Sequence, residues 1–581
     1  MRARTGKRRF AGLRLRALAW RTTRLRLDGD FVEPPEPLTI GTVSRGLELL
    51  AGRFLLAGHY VNAPQLSPWD LTTPPPAFEA ALHGFEWLDD LAALGDDAAR
   101  HTAQGWTFAW LARFGRGRGP GWQPELAARR ATRWINHALL LLDGVDASAR
   151  RRFMRALLQH AVFVARSWPL AAGPQARIEA LSGLIQAALQ LEGMGHHAAP
   201  ACVALGHQCE AHIDSGGGIV TRNPEALLEI FTQLTRAASV LSQAGVTVAP
   251  PHIAAIERIA PTLRSLRHAD GGLARFHGGG RGAEGRLDHA LAASGVRGAR
   301  HSGLAMGFAR LAGGRTSLIV DAAAPPPAFA SQAAHASTLA FELTSARRPV
   351  IVNCGTGYPF GPEWARAGRA TPSHSTLGVE GVSSSRLGGG GLLGGADMPP
   401  LTDRPSHVGV ERSDERYATA LLLSHDGYRP THGLTHLRRL DLSADGRALM
   451  GEDTLGAMSV ADRKLFARAI AATSLRGVRF MIRFHLHPDV EAALEPDGRS
   501  VRLDLRSGEV WLFRHEGEAT LSLEPSVYLQ RGRIRPRATS QIVLTGIVAE
   551  YPGQANWTLE KAAATPVATR DFAHDDIPIE A

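Results

Sequence analysis

A change of hydrophobic period near residue 270 constrains this chain more than any other feature. From about 41 to 266 the apolar residues recur in steps of three and four, the spacing of a helix face. In "RNPEALLEIFTQLTRAASVLSQAG" (222–245) they are Leu227, Leu228, Ile230, Phe231, Leu234, Ala238 and Leu241. Asn223 suits the N-cap, Pro224 the first helical position, and Gly245 a left-handed stop. "RRFMRALLQHAVFVARSW" and "ARIEALSGLIQAALQLEG" follow the same rule. Short loops between such segments imply antiparallel helices. Beyond 270 the period falls to two, in "TSLIVDA", "STLAFELTS", "RPVIVNCG", "YATALLLSHDGY", "VRFMIRFHLHP", "VRLDLRSGEVWLFRHEG" and "TSQIVLTGI". Asp445-Gly446 and Ser507-Gly508 mark hairpins. Strands in series without helices between them imply an antiparallel β-sandwich. The expected fold class is therefore α+β: a helical domain over 41–266, a Gly-rich linker over 267–284 and a sandwich over 285–555. A basic arm (1–40) precedes them and a tail (556–581) follows. A length of 581 residues fits two or three domains.

The net charge of +10 belongs to the arm. Residues 1–27 hold ten Arg or Lys and no acid, leaving 55 basic against 55 acidic residues elsewhere. A solvated or membrane-surface arm is favoured over a nucleic-acid contact, and no nucleic-acid partner is expected. The arm lacks the apolar stretch of a secretory signal, so cytoplasm and periplasm both stay open. No run of 18 apolar residues predicts a membrane span. Cys202, Cys209 and Cys354 are too few for a disulfide framework and are expected as thiols.

Several segments carry chemistry-bearing side chains. "RLGGGGLLGGAD" (386–397) lacks the GK[ST] of a phosphate loop and reads as a connector or a flap. In "RFMIRFHLHPDV", Arg483, His485 and His487 share one face, read as an exposed or cleft-facing strand. "WINHALLLLDG" carries Asn136 and His137 about 100° apart on a helix. The serines at 383–385 lack the turn of a nucleophile elbow. The segment "SQAAHASTLAFELTSARRPVIVNCGTGYPF" (331–360) is stronger. It places His335 in register with Leu339, Phe341 and Leu343, at the rim of the core face, and Asn353 near the end of the next strand. "TPSHSTLGVEG" sets His374 before a third strand. If these strands are neighbours, the three side chains converge.

The run "AHASTLAFELTSARRPVIVNCGTGY…W…RATPSHSTLGVEG", preceded by helices, resembles the C-terminal domain of the heparinase II/III-like family. The matching positions are His335, Phe341, Leu343, Val352, Gly355, His374 and Thr376. The resemblance implies an (α/α) toroid followed by an antiparallel sandwich. It also implies a polysaccharide lyase acting on uronic-acid polymers by β-elimination. In that chemistry an Asn, His or Arg neutralises the uronate carboxylate, a base takes the C5 proton, and an acid, commonly Tyr, protonates the leaving oxygen. On this resemblance the catalytic candidates are His335, Asn136, His137 and Tyr358. The substrate-binding candidates are Arg222, Asn223, Trp364 and Arg369, and the partner is an acidic polysaccharide. Some members hold a structural zinc through two His and an Asp. Here Asn353 stands at the Asp position and Ser337 follows the first His. A neutral amide is a poor zinc ligand, so no cofactor is expected; His374 and Asn353 are the candidates for a metal. Tyrosines occur only at 60, 358, 417, 428, 528 and 551, so none lies between 61 and 357. A chain that keeps the fold as a silent carbohydrate-binding or scaffold protein is the alternative.

Overall fold

A computed structural model describes residues 2–36, 41–72, 75–298, 301, 303–388, 398–473, 476–530 and 532–563. The chain divides into two compact units: Met1–Asp214 with Glu229–Arg258 and Ala290–Val296, and Ser215–Leu228 with Ile259–His289 and Arg297–Ala581.

The first unit is helical. Helix Pro124–Asn136 packs against Ala147–Ser167 and Pro174–Gln190, and the latter against Ala198–His212. The sequence starts these helices by side chain or by ring. Asp146 accepts the N–H groups of Ser148 and Ala149 (2.7 and 2.9 Å), while Pro124 and Pro174 take first positions. Close approach needs Gly183, because a Cβ there would lie 2.9 Å from the Cβ of Ala128. Trp87, Trp110, Trp134, Phe85 and Phe153 are fully buried. Among them lies the guanidinium of Arg130, 3.9 Å from the Trp110 ring centre, its N–H groups spent on His83 O, Gly121 O and His160 Nε2. Ring faces and carbonyls thus compensate a cation that finds no carboxylate acceptor among the described residues.

The N-terminal arm departs from the expectation of a solvated tail. Arg2–Thr22 is a helix whose Leu15, Ala19 and Thr22 are buried, and it packs on Ala147–Ser167. The Gln159 amide donates to Thr23 O (3.0 Å) and Leu25 O (2.9 Å) just beyond it. The helical spacing of Leu15, Ala19 and Thr22 is present in the sequence, but the density of arginines hides it. None of the described helices is long and apolar enough to cross a membrane.

The second unit holds two eight-stranded antiparallel sheets. One runs Val408–Asp414, Ala418–Tyr428, Leu434–Ser443, Ala448–Gly456, Gly553–Lys561, Val510–Glu516, Ser500–Leu505, Val490–Leu494. The other runs Thr520–Tyr528, Arg537–Val548, Val478–Leu486, Arg348–Val352, Phe341–Ser345, Thr316–Asp321, Phe308–Gly313, with Leu377–Val379 beside Val478–Leu486. One core joins them: Phe341, Phe484 and Ile482 from the second sheet meet Trp557, Phe513 and Leu440 from the first. The hairpins form where Asp445-Gly446 and Ser507-Gly508 predict them, with φ of +69° and +81° at the glycines.

Two readings of this half need correction. A helix, Val460–Ala472, interrupts the strands. The strands it joins, Ala448–Gly456 and Val478–Leu486, belong to different sheets, so the connection crosses between layers. Ser459 caps it, and Phe466 delivers it into the shared core. The strand bearing His485 and His487 is central rather than exposed. His485 is buried, with Nδ1 2.7 Å from Ser526 Oγ and Nε2 3.0 Å from Pro372 O.

Because the arm helix buries an apolar row, deleting residues 1–27 is expected to lower the melting temperature. Leu15→Ala alone is expected to cost about 2–3 kcal/mol, read as a lower denaturant midpoint. An unchanged midpoint for both would return the arm to solvent.

Candidate functional site

Asp321 closes strand Thr316–Asp321 and is fully buried. A buried carboxylate needs partners, and three residues supply them. Arg222 Nη2 donates at 2.6 Å, Ser337 Oγ donates at 2.7 Å, and His277 Nε2 lies at 3.4 Å. Burial alone would raise the Asp321 carboxyl, but Arg222 and then His277 hold it well below the usual carboxylate range. The remaining donors of Arg222 go to the carbonyls of Met306, Ala323, Ala324 and Gly307.

From this anchor the imidazoles follow. His277 adopts φ +50°, and its Nδ1 accepts the backbone N–H of His335 at 3.2 Å. Gly278 N–H donates to His335 Nε2 at 3.0 Å. That bond makes Nε2 an acceptor, so in the neutral ring the proton sits on Nδ1, an atom with no hydrogen-bond partner among the described residues. The His374 ring lies 4.9 Å away at 31°, and neither of its nitrogens has such a partner. Burial, then the neighbouring His374, pushes His335 far down; burial, then His485, lowers His374 to about 3. Both rings are therefore neutral at pH 7.

Asn353 holds the second half of this arrangement. Its Oδ1 accepts Ser375 N–H at 2.9 Å and its Nδ2 faces Glu342 Oε1 at 3.4 Å. Ser375 Oγ donates to Val352 O at 2.7 Å. His335 and His374 thus lie against each other, and Asn353 holds the peptide next to His374, although the strand that follows His374 pairs with Val478–Leu486 rather than with the strands of the other two. The position of His335 differs from the expected rim. The strand begins only at Phe341, Leu339 takes φ +64°, and Ala340 N–H turns back to Ser337 O at 2.8 Å. The turn carries His335 inward, and its side chain is fully buried.

The other candidates serve different surroundings. In the helical unit, Asn136 Oδ1 accepts Gln186 Nε2 at 2.7 Å. His137 Nε2 lies 2.9 Å from Asp89, which also accepts Arg133. Asn223 caps its helix by accepting Ala226 N–H at 3.0 Å. Arg369 donates to the carbonyls of Ala334, Pro399 and Ser331, each at 2.8 Å. Arg222, Asn223 and Arg369, expected against substrate, have these polar atoms committed to the fold. Tyr358 (47% exposed) and Trp364 (36% exposed) sit on the turn Tyr358–Phe360 and the short helix Pro362–Ala367. Of the Gly-rich connector, residues 389–397 lie outside the described residues. His277 and Asp321 escaped the sequence reading; the signals were a histidine beside "GGG" and an acid closing an apolar strand.

A family model for the heparinase II/III-like C-terminal domain matches residues 296–558. Across 553 residues the chain is 31% identical to FtsZ-localized protein C of Caulobacter vibrioides (strain NA1000 / CB15N), covering 92% of this chain and 91% of that protein. This chain belongs to the heparinase II/III-like family. Its fold is that of heparinase III, whose crystal structure superposes with a TM-score of 0.68 at 12% identity over 93% of this chain and 88% of that one. The heparan sulfate lyase HepC from Pedobacter heparinus gives 0.55 at 13% identity over 96% and 89%. In this family member the donors do not fit the zinc that the family resemblance implies. The Ser337 hydroxyl is spent on Asp321, the Asn353 oxygen is spent on Ser375, His335 presents only an Nδ1–H donor, and His374 alone of the four offers a nitrogen free to accept. A tetrahedral site needs four ligands, and no cluster of three or more His, Cys, Asp or Glu suited to a metal occurs among the described residues.

Two outcomes follow from the buried charges. Asp321→Ala leaves Arg222 buried without its counter-ion and is expected to cost about 3–5 kcal/mol in denaturant unfolding; a cost below ~1 kcal/mol would remove Asp321 from its anchoring role. The second concerns pH. His335, His374 and His485 (lowered to about 4, chiefly by burial) resist protonation when folded, whereas their unfolded forms take up protons near ~6.5. The unfolded chain then binds more protons, so this stability is full above about pH 6.5 and is lost as pH falls. Melting temperature is expected to drop steadily from pH 7 to 5; a flat profile would contradict it.

Proposed function

We propose that this chain acts on a uronic-acid-containing polysaccharide by β-elimination, with the helical region forming the (α/α) toroid of its family. The observation that supports it best is the pair of neutral imidazoles at the strand ends, His335 and His374, with unpartnered nitrogens in the family's sandwich. On this reading the two rings take different roles. His335 Nε2 is occupied by Gly278 N–H, so its free atom is a donor, Nδ1–H. Such a donor suits the uronate carboxylate, whose neutralisation acidifies the C5 proton. His374, neutral and with both nitrogens free of partners among the described residues, is then the group to take that proton as the C4–O bond breaks and, as imidazolium, to pass it to the leaving glycosidic oxygen. Both rings are covered, so a sugar reaches them only when the segments tied by Arg369 part.

A second reading has its own support: the burial of both rings and the absence of tyrosine from 61 to 357. In it the chain keeps the fold without turnover. FtsZ-localized protein C is named for localisation with FtsZ, and this reading extends that placement to the present chain.

Heparin, heparan sulfate and alginate, each incubated with the purified chain, separate the two. The lyase reading expects rising ultraviolet absorbance from the new double bond. His335→Ala is expected to reduce kcat about 100-fold or more, measured at a temperature where the variant is still folded. Turnover that survives His335→Ala would remove that residue from the chemistry, and a flat signal on every uronate polymer would favour the silent reading.

A further inference from the structure

Away from the histidine pair, one hydroxyl sits against an imidazole as a nucleophile sits against its base. Ser526 belongs to strand Thr520–Tyr528 and His485 to Val478–Leu486, with Arg537–Val548 between them in the sheet. Their side chains meet over that middle strand, Ser526 Oγ lying 2.7 Å from His485 Nδ1. The second ring nitrogen decides which way the proton points. His485 Nε2 lies 3.0 Å from Pro372 O, and a carbonyl only accepts, so the ring proton is on Nε2. Nδ1 is then an acceptor, and the Ser526 O–H donates to it. A hydroxyl, an imidazole and a fixed acceptor behind the imidazole are the parts of an activated serine. The backbone N–H of His485 donates to Ser375 Oγ at 3.0 Å, which holds the base from below. Burial, the largest influence on the ring, keeps it in the neutral form that can take a proton.

The two partners differ in exposure. Ser526 is half-buried, on a strand that pairs only with Arg537–Val548 and so forms the edge of its sheet. His485 is 3% exposed. The serine thus faces a free edge with its base covered behind it. Cys354 Sγ lies 3.5 Å from the same Nδ1, but that residue is buried and burial pushes its thiol up, so the serine is the better nucleophile. Donors for an oxyanion lie close by. Val527 N–H points to Cys354 Sγ, a weak acceptor 3.9 Å from Ser526 Oγ. The N–H that follows the nucleophile is a common oxyanion donor in acyl transfer. Arg483 shares a strand face with His485 and makes no ion pair among the described residues; its charge bears on both His485 and Cys354, with Glu524 near enough to support it. The elimination described above uses none of these groups.

We propose that Ser526 and His485 form a nucleophile–base pair that hydrolyses esters of short acyl chains such as acetate. Ser526 Oγ attacks the ester carbonyl carbon while its proton passes to His485 Nδ1. The bond from that carbon to the alcohol oxygen breaks, and the oxygen leaves with the proton held by His485. Water then attacks the acyl-serine and gives a proton to His485. The bond to Oγ breaks, Oγ recovers the proton, and the carboxylic acid departs. The acyl chain is short because Pro372 and Cys354 border the same imidazole and leave little depth behind the serine. A carbonyl orients the imidazole but stabilises the imidazolium less than the carboxylate of a triad does, so turnover is slow and covalent labelling is the sharper readout. The pair stands or falls independently of the uronate reading.

The test treats the full chain with a fluorophosphonate, locates the adduct by peptide mass spectrometry, and follows hydrolysis of p-nitrophenyl acetate in parallel. The adduct is expected on Ser526. Ser526→Ala removes only the hydroxyl; it is expected to lose the adduct and to slow hydrolysis about 100-fold or more, with its circular dichroism spectrum unchanged. His485→Gln is expected to slow labelling of Ser526 on the same scale. Ser522→Ala, one of the other serines on that strand, is expected to label and hydrolyse as the parent does. No adduct on the parent chain, an adduct on Cys354 or elsewhere in place of Ser526, or hydrolysis that survives Ser526→Ala overturns the pair. Labelling of His485→Gln at the parent rate overturns it too, because the serine would then react without its base.

Discussion

The sandwich depends on one buried ion pair. Arg438, on strand Leu434–Ser443, grips Asp453, on Ala448–Gly456, with Nε at 2.7 Å and Nη2 at 3.0 Å. Neither side chain is exposed. Burial would raise the Asp453 carboxyl, but Arg438, and after it His436, keep it far below its ordinary value. Arg438 then has Nη1 left, and it reaches across to Leu339 O (2.8 Å) and Ser375 O (3.1 Å). Those carbonyls belong to the segments that carry His335 and His374. A pair buried this deeply adds little net stability against an apolar replacement, because desolvating both charges is costly. What it adds is direction, since a guanidinium fork fits only one placement of its acceptors.

The histidine pair is thus held from two sides. Arg438 fixes the backbone from the first sheet, and the Asp321 group fixes it through Ser337 and His277. Each hub consists of a carboxylate, an arginine and a histidine with depressed basicity. Between them the two central imidazoles have no ionic partner of their own among the described residues. Low local polarity keeps them neutral, and fixed hydrogen bonds choose which nitrogen of His335 is a donor.

Much of this was legible in the residues. The change of period located helices and strands, Asn223 and the Asp-Gly and Ser-Gly pairs located ends and turns, and the segments that carry His335, Asn353 and His374 were singled out together. Local patterns carry such information because caps and turns involve residues a few positions apart. Arg222 shows the limit. It stands beside an N-cap and invites a substrate role, yet its fork is filled by residues 84 to 102 positions away. The burial of His335 was hidden for a related reason: period-two counting assumes an unbroken strand, and the positive φ at Leu339 breaks it.

The strand Gly553–Lys561 lies in the middle of its sheet, between Ala448–Gly456 and Val510–Glu516. It is the last described strand of the chain, yet it supplies Trp557, whose Nε1 donates to Asp453 Oδ2 at 3.0 Å. During synthesis, then, the earlier strands emerge first and wait with an open seam, and Asp453 lacks one of its donors. Closure links strands about a hundred residues apart, an ordering that favours slow assembly and leaves unpaired edges exposed meanwhile. The ion pair that organises the finished sandwich is completed only by a strand synthesised after all the other described strands have left the ribosome.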